Sequence, residues 1–527
     1  MLSASSRSRN STSRWTFGPR NSWLVTSQNG AKNPRPRIPP YVAIVPICAG
    51  VFIAADDQTV IVTVLPQIML DLKVQITELD RASWTITGYL LGYVAAMPLI
   101  GRMSDVWGHR NLYVASMLMF MAGSVLAALT TDLTALVAAR VFQAVGAGAL
   151  VPISIAMVGD LFPSARRGVP LGIVGASAEA GGVIGPLWGG IIIRYLDWPW
   201  VFWINIPLGI LVLVFLVPLV GPSPRFPAKI DYMGGVLLAV CLSTLTLGLA
   251  RVDAPDELFG VYVAVALISL VFFVIRQRGI ADPLLPMSMF RSRPFNAANG
   301  THLLIGAALI IGMVTIPLMA NTVLGRTPLE GGLMLMRMTA AVPIGAVLGG
   351  IAAQRLDYRV PTMLGLALIA VGFGFMSRWD LTVSDPSMTV HLALAGFGFG
   401  LLIAPVALAA TNSVDVGLRG AAAALITAMR MVGMTFGLAT LTAWGTGRFQ
   451  DLVAGMRLPL PLPGDSAEQA AQRVTEFETQ LTGAGLSLFS DFYLIAMAVS
   501  LIAIAVAAFM AWKPTAEDEA GEPGQGR

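Results

Sequence analysis

Six charged side chains lie inside long apolar stretches of this 527-residue sequence: Asp56, Asp57, Arg140, Glu179, Arg337 and Arg430. Charged residues within membrane-spanning helices face a partner or a cavity and mark transport pathways. A carboxyl group in a low-dielectric environment can exchange protons near neutral pH. We therefore predict that Asp57 and Glu179 carry protons and that Arg430 is their ionic partner. A purely structural salt bridge at each carboxyl group is the alternative.

The other polar residues in these stretches are weaker candidates for proton coupling. Asp56 projects about 100° away from Asp57 around the helix axis, so we give it less weight. Arg140 and Gln143 share one stretch, and we expect them to face a cavity or a partner because a cation at that depth is otherwise costly. Arg337 has no assigned role.

A polar loop with two glycines follows the second apolar stretch and runs from Gly101 through Asp105 and Gly108 to Arg110. Gly101 and Gly108 permit a tight turn. Asp105 is placed to accept hydrogen bonds from the N-terminal N–H groups of a neighbouring helix, or to pair with a basic side chain. The pattern predicts a latch that holds the cytoplasmic side shut.

The fifth apolar stretch carries a run of small residues and a proline: Gly181, Gly185, Pro186, Gly189 and Gly190. Glycines four positions apart form a flat stripe against which another helix can pack closely. Pro186 lacks a backbone N–H and allows the helix to bend. We predict a close helix contact along this stripe.

The composition requires a bilayer around these residues. The chain is 55% hydrophobic and 12% charged, whereas soluble domains carry about 25% charged residues. A span needs about 20 apolar residues. Fourteen stretches qualify, near 41–65, 82–101, 111–130, 133–158, 170–193, 201–220, 232–250, 259–275, 295–321, 329–353, 361–377, 387–410, 418–446 and 491–511. This predicts an all-α membrane protein.

Charge distribution predicts the orientation. An even number of spans places both termini on one side, and Lys and Arg are more frequent in the termini and in every second loop. The positive-inside rule then predicts that both termini lie in the cytoplasm, with the spans in the bacterial inner (plasma) membrane. The expected organisation is a disordered basic tail (1–40), a six-helix bundle (41–220), a linker with two spans (221–294), a second six-helix bundle (295–511) and a cytoplasmic tail (512–527).

The connection after span 13 differs from the others. This extended outer loop, 447–490, begins with residues that continue the helix pattern, and a Leu-Pro run at 458–463 interrupts it. Ser466 then reads as the N-cap of a second helix that runs to Leu481. We expect spans 13 and 14 to protrude beyond the membrane as a pair.

Together, these motifs resemble the major facilitator superfamily. The loop 101–110, the pattern at 140–148 and the antiporter motif at 181–190 match that superfamily, with Val106 and His109 where it has basic residues. The segment 57–66 is similar to the signature of its fourteen-helix drug:proton antiporters. Further segments resemble the mycobacterial lipoprotein-coupled triacylglyceride and drug efflux transporters: 83–84, 89–102, 202–207, 231–239, 343–350 and 443–445.

The resemblance covers residues 41–511 and implies a fold and a function. The fold is two six-helix bundles with spans 7 and 8 inserted as a linker pair. The function is proton-coupled export of apolar or amphipathic small molecules or lipids, with Asp57, Glu179 and Arg430 as coupling residues and Asp105 as the latch. A secreted lipoprotein is an expected partner, besides membrane lipids. The alternative is a broad-specificity multidrug efflux pump with no lipid role. Met-rich segments between Met313 and Met338 suit its adaptable apolar surface, but they suit a gap-filling core at least as well.

Other function classes find little support. An enzyme would need a nucleophile–base pair or metal ligands, and the histidines His109, His302 and His391 are widely spaced and fit no zinc pattern. A channel would need a charged ring or a filter loop. We expect no cofactor and no metal. The net charge of +4 follows from basic residues beside the membrane and does not indicate a nucleic-acid partner.

Overall fold

The computed structural model describes residues 39–74, 79–249, 251–252, 256–456 and 466–510. Apart from residues 39 and 40, the tails predicted at 1–40 and 512–527 lie outside this part. The α-helices of the described residues are α1 Pro40–Asp71, α2 Leu79–Trp107, α3 His109–Ala128, α4 Leu133–Leu161, α5 Gly168–Tyr195, α6 Trp200–Trp203, α7 Asn205–Leu219, α8 Tyr232–Leu249, α9 Glu257–Gly279, α10 Arg293–Thr322, α11 Pro328–Thr339, α12 Ala341–Arg355, α13 Arg359–Met376, α14 Asp385–Leu401, α15 Ile403–Thr411, α16 Arg419–Val453 and α17 Ala467–Ala507.

These helices form fourteen segments that are long and apolar enough to cross a membrane, as predicted. Three spans consist of two helices separated by a single residue, namely α6 and α7, α11 and α12, and α14 and α15. In each case a proline, Pro207, Pro343 or Pro405, stands four positions after the last residue of the first helix. Because proline has no N–H, the carbonyl of that last residue loses its helical partner and the helix is interrupted there.

The helices pack as two six-span halves and a linker pair. In the first half, α1 packs against α5, and α4 packs against α2 and α3. In the second half, α10 packs against α16 and α17, and α13 packs against α14 and α17. The linker helices α8 and α9 pack against each other, and α8 also contacts α2. The predicted arrangement of two bundles with an inserted pair is confirmed.

The two halves meet mainly through α5 with α12 and through α2 with α16. Both contacts use residues that leave room for close approach. A methyl group added at Gly172 would clash with the Ala346 carbonyl, and one added at Gly101 would clash with Ala424. These contacts lie toward the end of α2 that adjoins Gly108 and the end of α5 that adjoins the connection 162–167, which is the predicted cytoplasmic side.

The last two spans are unusually long, with 35 residues in α16 and 41 in α17. At 1.5 Å per residue, α17 extends about 60 Å, twice the thickness of a bilayer core. Ser466 caps α17 as predicted, in a reciprocal pair with Gln469. The helix does not end at Leu481, however, and continues unbroken to Ala507. The helical parts predicted within 447–490 are therefore present, and they belong to α16 and α17 themselves.

Candidate functional site

A buried network surrounds the carboxylate of Asp57 on α1. Arg140 Nη1 donates to Asp57 Oδ2 over 2.5 Å. Gln143 Nε2 and Asn205 Nδ2 donate to Asp57 Oδ1 over 2.9 and 2.8 Å. The Arg140 guanidinium also lies over the Tyr89 ring, 4.0 Å from its centroid. Asp57 is 1% exposed and Arg140 0%, so the charges compensate each other away from solvent.

This geometry corrects one prediction from the sequence. Arg430 is not the partner of Asp57, because Arg140 occupies that position. Helix packing explains the difference: α1 contacts α4 and α7, which carry the donors to Asp57, and both belong to the same half. Periodicity identifies the face on which Asp57 lies but does not identify the helix that packs against this face.

Glu179 and Arg430 form a second ion pair, and this one joins the two halves. Arg430 Nη1 on α16 donates to Glu179 Oε1 on α5 over 2.6 Å. The side chains are 19% and 20% exposed, so this pair is less enclosed than the one at Asp57. Both residues line a void of about 10 Å³. The pairing predicted for Glu179 is present, and breaking it would disconnect α5 from α16 at this point.

Asp56, which received less weight, differs from both pairs. Its Oδ1 atom has no hydrogen-bond partner among the described residues. Its side chain is only partly buried, whereas the neighbouring Asp57 is enclosed. Asp56 therefore differs from Asp57 and Glu179, whose carboxylates are each hydrogen-bonded to an arginine.

The segment 101–110, predicted as a loop with a tight turn at Gly101 and Gly108, is helical except at Gly108, because Gly101 belongs to the last turns of α2. This end of α2 contacts the start of α16. Asp105 Oδ1 accepts from the Gly420 N–H over 2.8 Å, and Asp105 Oδ2 accepts from the Ala421 N–H over 3.1 Å. The first N–H groups of a helix have no partner within the helix, and the helix dipole favours a negative charge there. Asp105 thus lies against a neighbouring helix N-terminus, where a latch would need it. Gly108, with φ of 91°, supplies the left-handed turn between α2 and α3.

His109 replaces a basic residue of the motif and joins the same cluster. Its Nδ1 lies 2.7 Å from Asp160 Oδ2 and its Nε2 lies 3.3 Å from Asp105 Oδ1. Carboxylates only accept, so an imidazolium with two N–H donors fits both contacts. Arg110 Nη2 donates to the Val217 carbonyl over 2.7 Å, which ties the start of α3 to the end of α7.

The glycine stripe of α5 packs against the backbone of α1. A methyl group at Gly181 would clash with the Phe52 carbonyl, and one at Gly185 would clash with Thr59 Oγ1. At Gly190 the nearest atom would lie 3.9 Å away, an ordinary contact. At Gly189 the methyl group would lie 2.9 Å from Val60 Cγ2, so the close contact predicted for this stripe is present at Gly181, Gly185 and Gly189. It holds the helix of Glu179 firmly against the helix of Asp57.

Several polar residues of these networks received no role in the sequence analysis. Asn205 and Ser124 complete the Asp57 network, in which Ser124 Oγ accepts from Gln143 Nε2 over 2.7 Å. Arg337 donates to Asp385 Oδ2 over 3.0 Å and to Thr389 Oγ1 over 2.9 Å. In the sequence, each of these residues is recognisable as a polar residue inside an apolar span. No group of His, Cys, Asp and Glu within the described ranges could hold a metal ion.

Fourteen spans arranged as two six-span halves, with a partly exposed ion pair between the halves, form the architecture of a membrane transporter. The model of the Major Facilitator Superfamily matches residues 47–438, and the chain belongs to this superfamily. It is an integral membrane transporter.

Known proteins of similar sequence match most of the length of this chain. A triacylglyceride transporter of Mycolicibacterium hassiacum is 34% identical over 90% of this chain and 92% of its own length. A probable triacylglyceride transporter of Mycobacterium leprae is 35% identical over 88% and 94%. A triacylglyceride transporter of Mycobacterium tuberculosis is 36% identical over 82% and 87%.

Solved structures support the fold alone. The human organic anion transporter MFSD10 superposes with a TM-score of 0.58 at 14% identity, over 88% of this chain and 100% of that one. The proton:xylose symporter XylE gives 0.54 at 14% identity, over 87% and 94%.

Proposed function

We propose that this protein is a proton-coupled exporter of apolar or amphipathic lipids of the triacylglyceride class. The observation that carries the proposal is the ion pair between Glu179 and Arg430. It lies inside the bilayer segment, it is partly exposed, and it joins one half of the transporter to the other. The names of the relatives, which match over most of the chain, support a lipid as the cargo.

Protonation of Glu179 is the coupling event in this proposal. A neutral carboxyl group attracts the Arg430 guanidinium far less than a carboxylate does, so a proton loosens the link between α5 and α16. The two halves can then rock about the site. Cargo binding and proton binding exclude each other if both require the released arginine. Antiport follows, with protons moving inward and lipid outward.

Asp57 has a different role in this scheme. Its carboxylate accepts three hydrogen bonds from side chains of its own half, so its charge is compensated without crossing to the second half. We propose that it holds Arg140 and orders the first bundle, and that Glu179 is the proton carrier. Asp105 acts as the latch on the cytoplasmic side, where it accepts from the first turn of α16.

The location and partner follow from the same proposal. Both termini lie in the cytoplasm of an inner membrane, as the distribution of basic residues favours. The long helices α16 and α17 then extend from the outer face and offer a surface to a secreted lipoprotein. Arg448 Nε donates to Asp491 Oδ2 over 3.0 Å and ties the two helices together near their membrane exit.

The test is transport in vesicles that hold the purified protein. Labelled triacylglyceride should leave the donor leaflet when a pH gradient is imposed, and the movement should stop when a protonophore collapses the gradient. Glu179→Gln should fold but lose the gradient-driven component. Lipid movement that persists without the gradient would disprove the coupling. Transport of amphipathic cations with no lipid movement would instead favour a multidrug pump.

A further inference from the structure

His302 on α10 is a buried polar side chain that the proposed mechanism does not use. It is 7% exposed, and its Nδ1 lies 2.9 Å from the Ile426 carbonyl oxygen on α16. A carbonyl oxygen only accepts, so Nδ1 carries the proton, and in the neutral ring Nε2 is then an acceptor. That Nε2 atom is buried and has no hydrogen-bond partner among the described residues. The Nδ1 contact therefore fixes the ring, and Nε2 is left as an acceptor without a hydrogen bond within the described part of the chain.

His302 lies where α10 packs on the segment of α16 that carries Arg430. One turn further along α10, a methyl group at Gly306 would clash with the Arg430 carbonyl, so the two backbones touch there. Side chains of a helix tilt toward its N-terminus, and the Arg430 side chain therefore lies over the turn that contains Ile426. His302 is docked on that same turn.

His302, Glu179 and Arg430 line the same void, whose volume is about 10 Å³, roughly one water molecule. The remaining residues that line this void are apolar: Ile305, Leu309, Val342, Phe399, Leu402 and Ile403. Within this lining, the polar groups are a carboxylate on α5, a guanidinium on α16 and an imidazole on α10. Among the side chains of this lining, the imidazole is the one acceptor besides Glu179.

The arginine needs a second acceptor whenever Glu179 is neutral. A guanidinium does not lose its proton in proteins, and a buried charge that loses its partner is strongly destabilised. We propose that His302 Nε2 is this second acceptor and holds the Arg430 guanidinium when a protonated Glu179 releases it. His302 is then a positioning residue of the coupling site. This inference rests on the proposed coupling role of Glu179, but the contact can be tested separately.

Two substitutions of His302 distinguish the loss of the acceptor atom from the loss of the imidazole ring. His302→Leu removes the acceptor and keeps an apolar side chain of moderate size, whereas His302→Gln supplies an amide oxygen near the position of Nε2. The Ile426 carbonyl stays paired within α16 in both. Glu179→Gln imitates the protonated carboxyl group. His391 on α14, which accepts from Trp379 Nε1 over 3.0 Å and does not line the void, provides the control His391→Leu.

Thermal unfolding of the purified full chain tests the contact. His302→Leu alone should change Tm little, because Glu179 still holds Arg430. Combined with Glu179→Gln, it should lower Tm by more than the sum of the single changes. The changes in Tm caused by His302→Gln and by His391→Leu should each simply add to the change caused by Glu179→Gln. Additive behaviour of His302→Leu would overturn the proposal.

Transport tests the consequence for coupling. Without the second acceptor, the protonated state is less favourable, so gradient-driven transport by His302→Leu should need a pH lower by about 1 unit for half its maximal rate. His302→Gln should lie near the wild type. If Glu179→Gln still transports with the gradient, the proposed coupling fails, yet a non-additive Tm would still support the contact of His302 with Arg430. An unchanged pH of half-maximal transport in His302→Leu, together with additive changes in Tm, refutes the proposed contact of His302 with Arg430.

Discussion

The Asp57 network gives a quantitative prediction for Asp57→Asn. The substitution preserves the size of the side chain but removes the charge that compensates Arg140. It also replaces one acceptor oxygen with an NH2 group, which would face the N–H donors of Arg140 or of Gln143 and Asn205. Arg140 would retain the Asp57 carbonyl, at 3.3 Å, and the face of Tyr89.

The cost can be bounded from these contacts. Breaking a buried ion pair by removing one partner costs about 3–5 kcal/mol. The retained cation–π contact stabilises a desolvated guanidinium by about 2 kcal/mol, so we expect the lower end, about 3 kcal/mol. Folded proteins are stable by about 5–15 kcal/mol, and a loss of this size should be plain in the unfolding temperature.

Thermal unfolding in detergent, followed by tryptophan fluorescence, measures this loss. Asp56→Asn is the matched control, because it removes an adjacent carboxylate whose Oδ1 has no partner, and it should leave Tm unchanged. Arg140→Met should restore much of the stability of Asp57→Asn, since an apolar pair can replace a buried ion pair. Arg430→Met should not. Equal Tm values for Asp57→Asn and Asp56→Asn, or rescue by Arg430→Met, would refute the assignment of Arg140 as the partner.

Three further predictions concern the latch, the glycine stripe and the topology. Asp105→Asn keeps one acceptor for the Gly420 N–H but loses the charge at the start of α16, so closure of the cytoplasmic side should weaken. Cysteines introduced in the cavity should then be labelled faster from the cytoplasm, and unchanged labelling would leave Asp105 without a latch role. Gly185→Ala should destabilise the protein by about 1–3 kcal/mol through overpacking against Thr59, whereas the control Gly182→Ala, whose new methyl group would lie 3.9 Å from Thr59 Cγ2, should be tolerated; equal Tm values would contradict the tight contact. A reporter active only in the cytoplasm should give signal in the loop 280–292 and none after Met456, and the reverse result would invert the orientation.

Two features of the fold differ from the simple pattern of apolar stretches, because three spans are divided into two helices and α17 is a single long helix. The helix interruptions at α6, α11 and α14 coincide with Pro207, Pro343 and Pro405, and each proline removes the partner of a carbonyl four residues earlier. Other prolines, such as Pro152 in α4 and Pro317 in α10, lie inside unbroken helices, so proline alone does not predict where a span is divided. The unbroken course of α17 was harder to foresee. Residues 482–490 are less apolar than a span, and only their helical continuity with both neighbours shows that the predicted outer helix and span 14 are one element.

By itself the sequence determined that this protein has fourteen spans, because a bilayer core requires about 20 apolar residues and a self-satisfied backbone for each crossing. It also identified Asp57, Glu179 and Arg430 as unusual, since a charge within a span is rare and costly. The tertiary structure decided their partners. Asp57 lies 83 positions from Arg140, and Glu179 lies 251 positions from Arg430. Periodicity places each residue on a helix face, but the neighbour of that face depends on how all the helices pack together, and no local pattern in the chain records that arrangement.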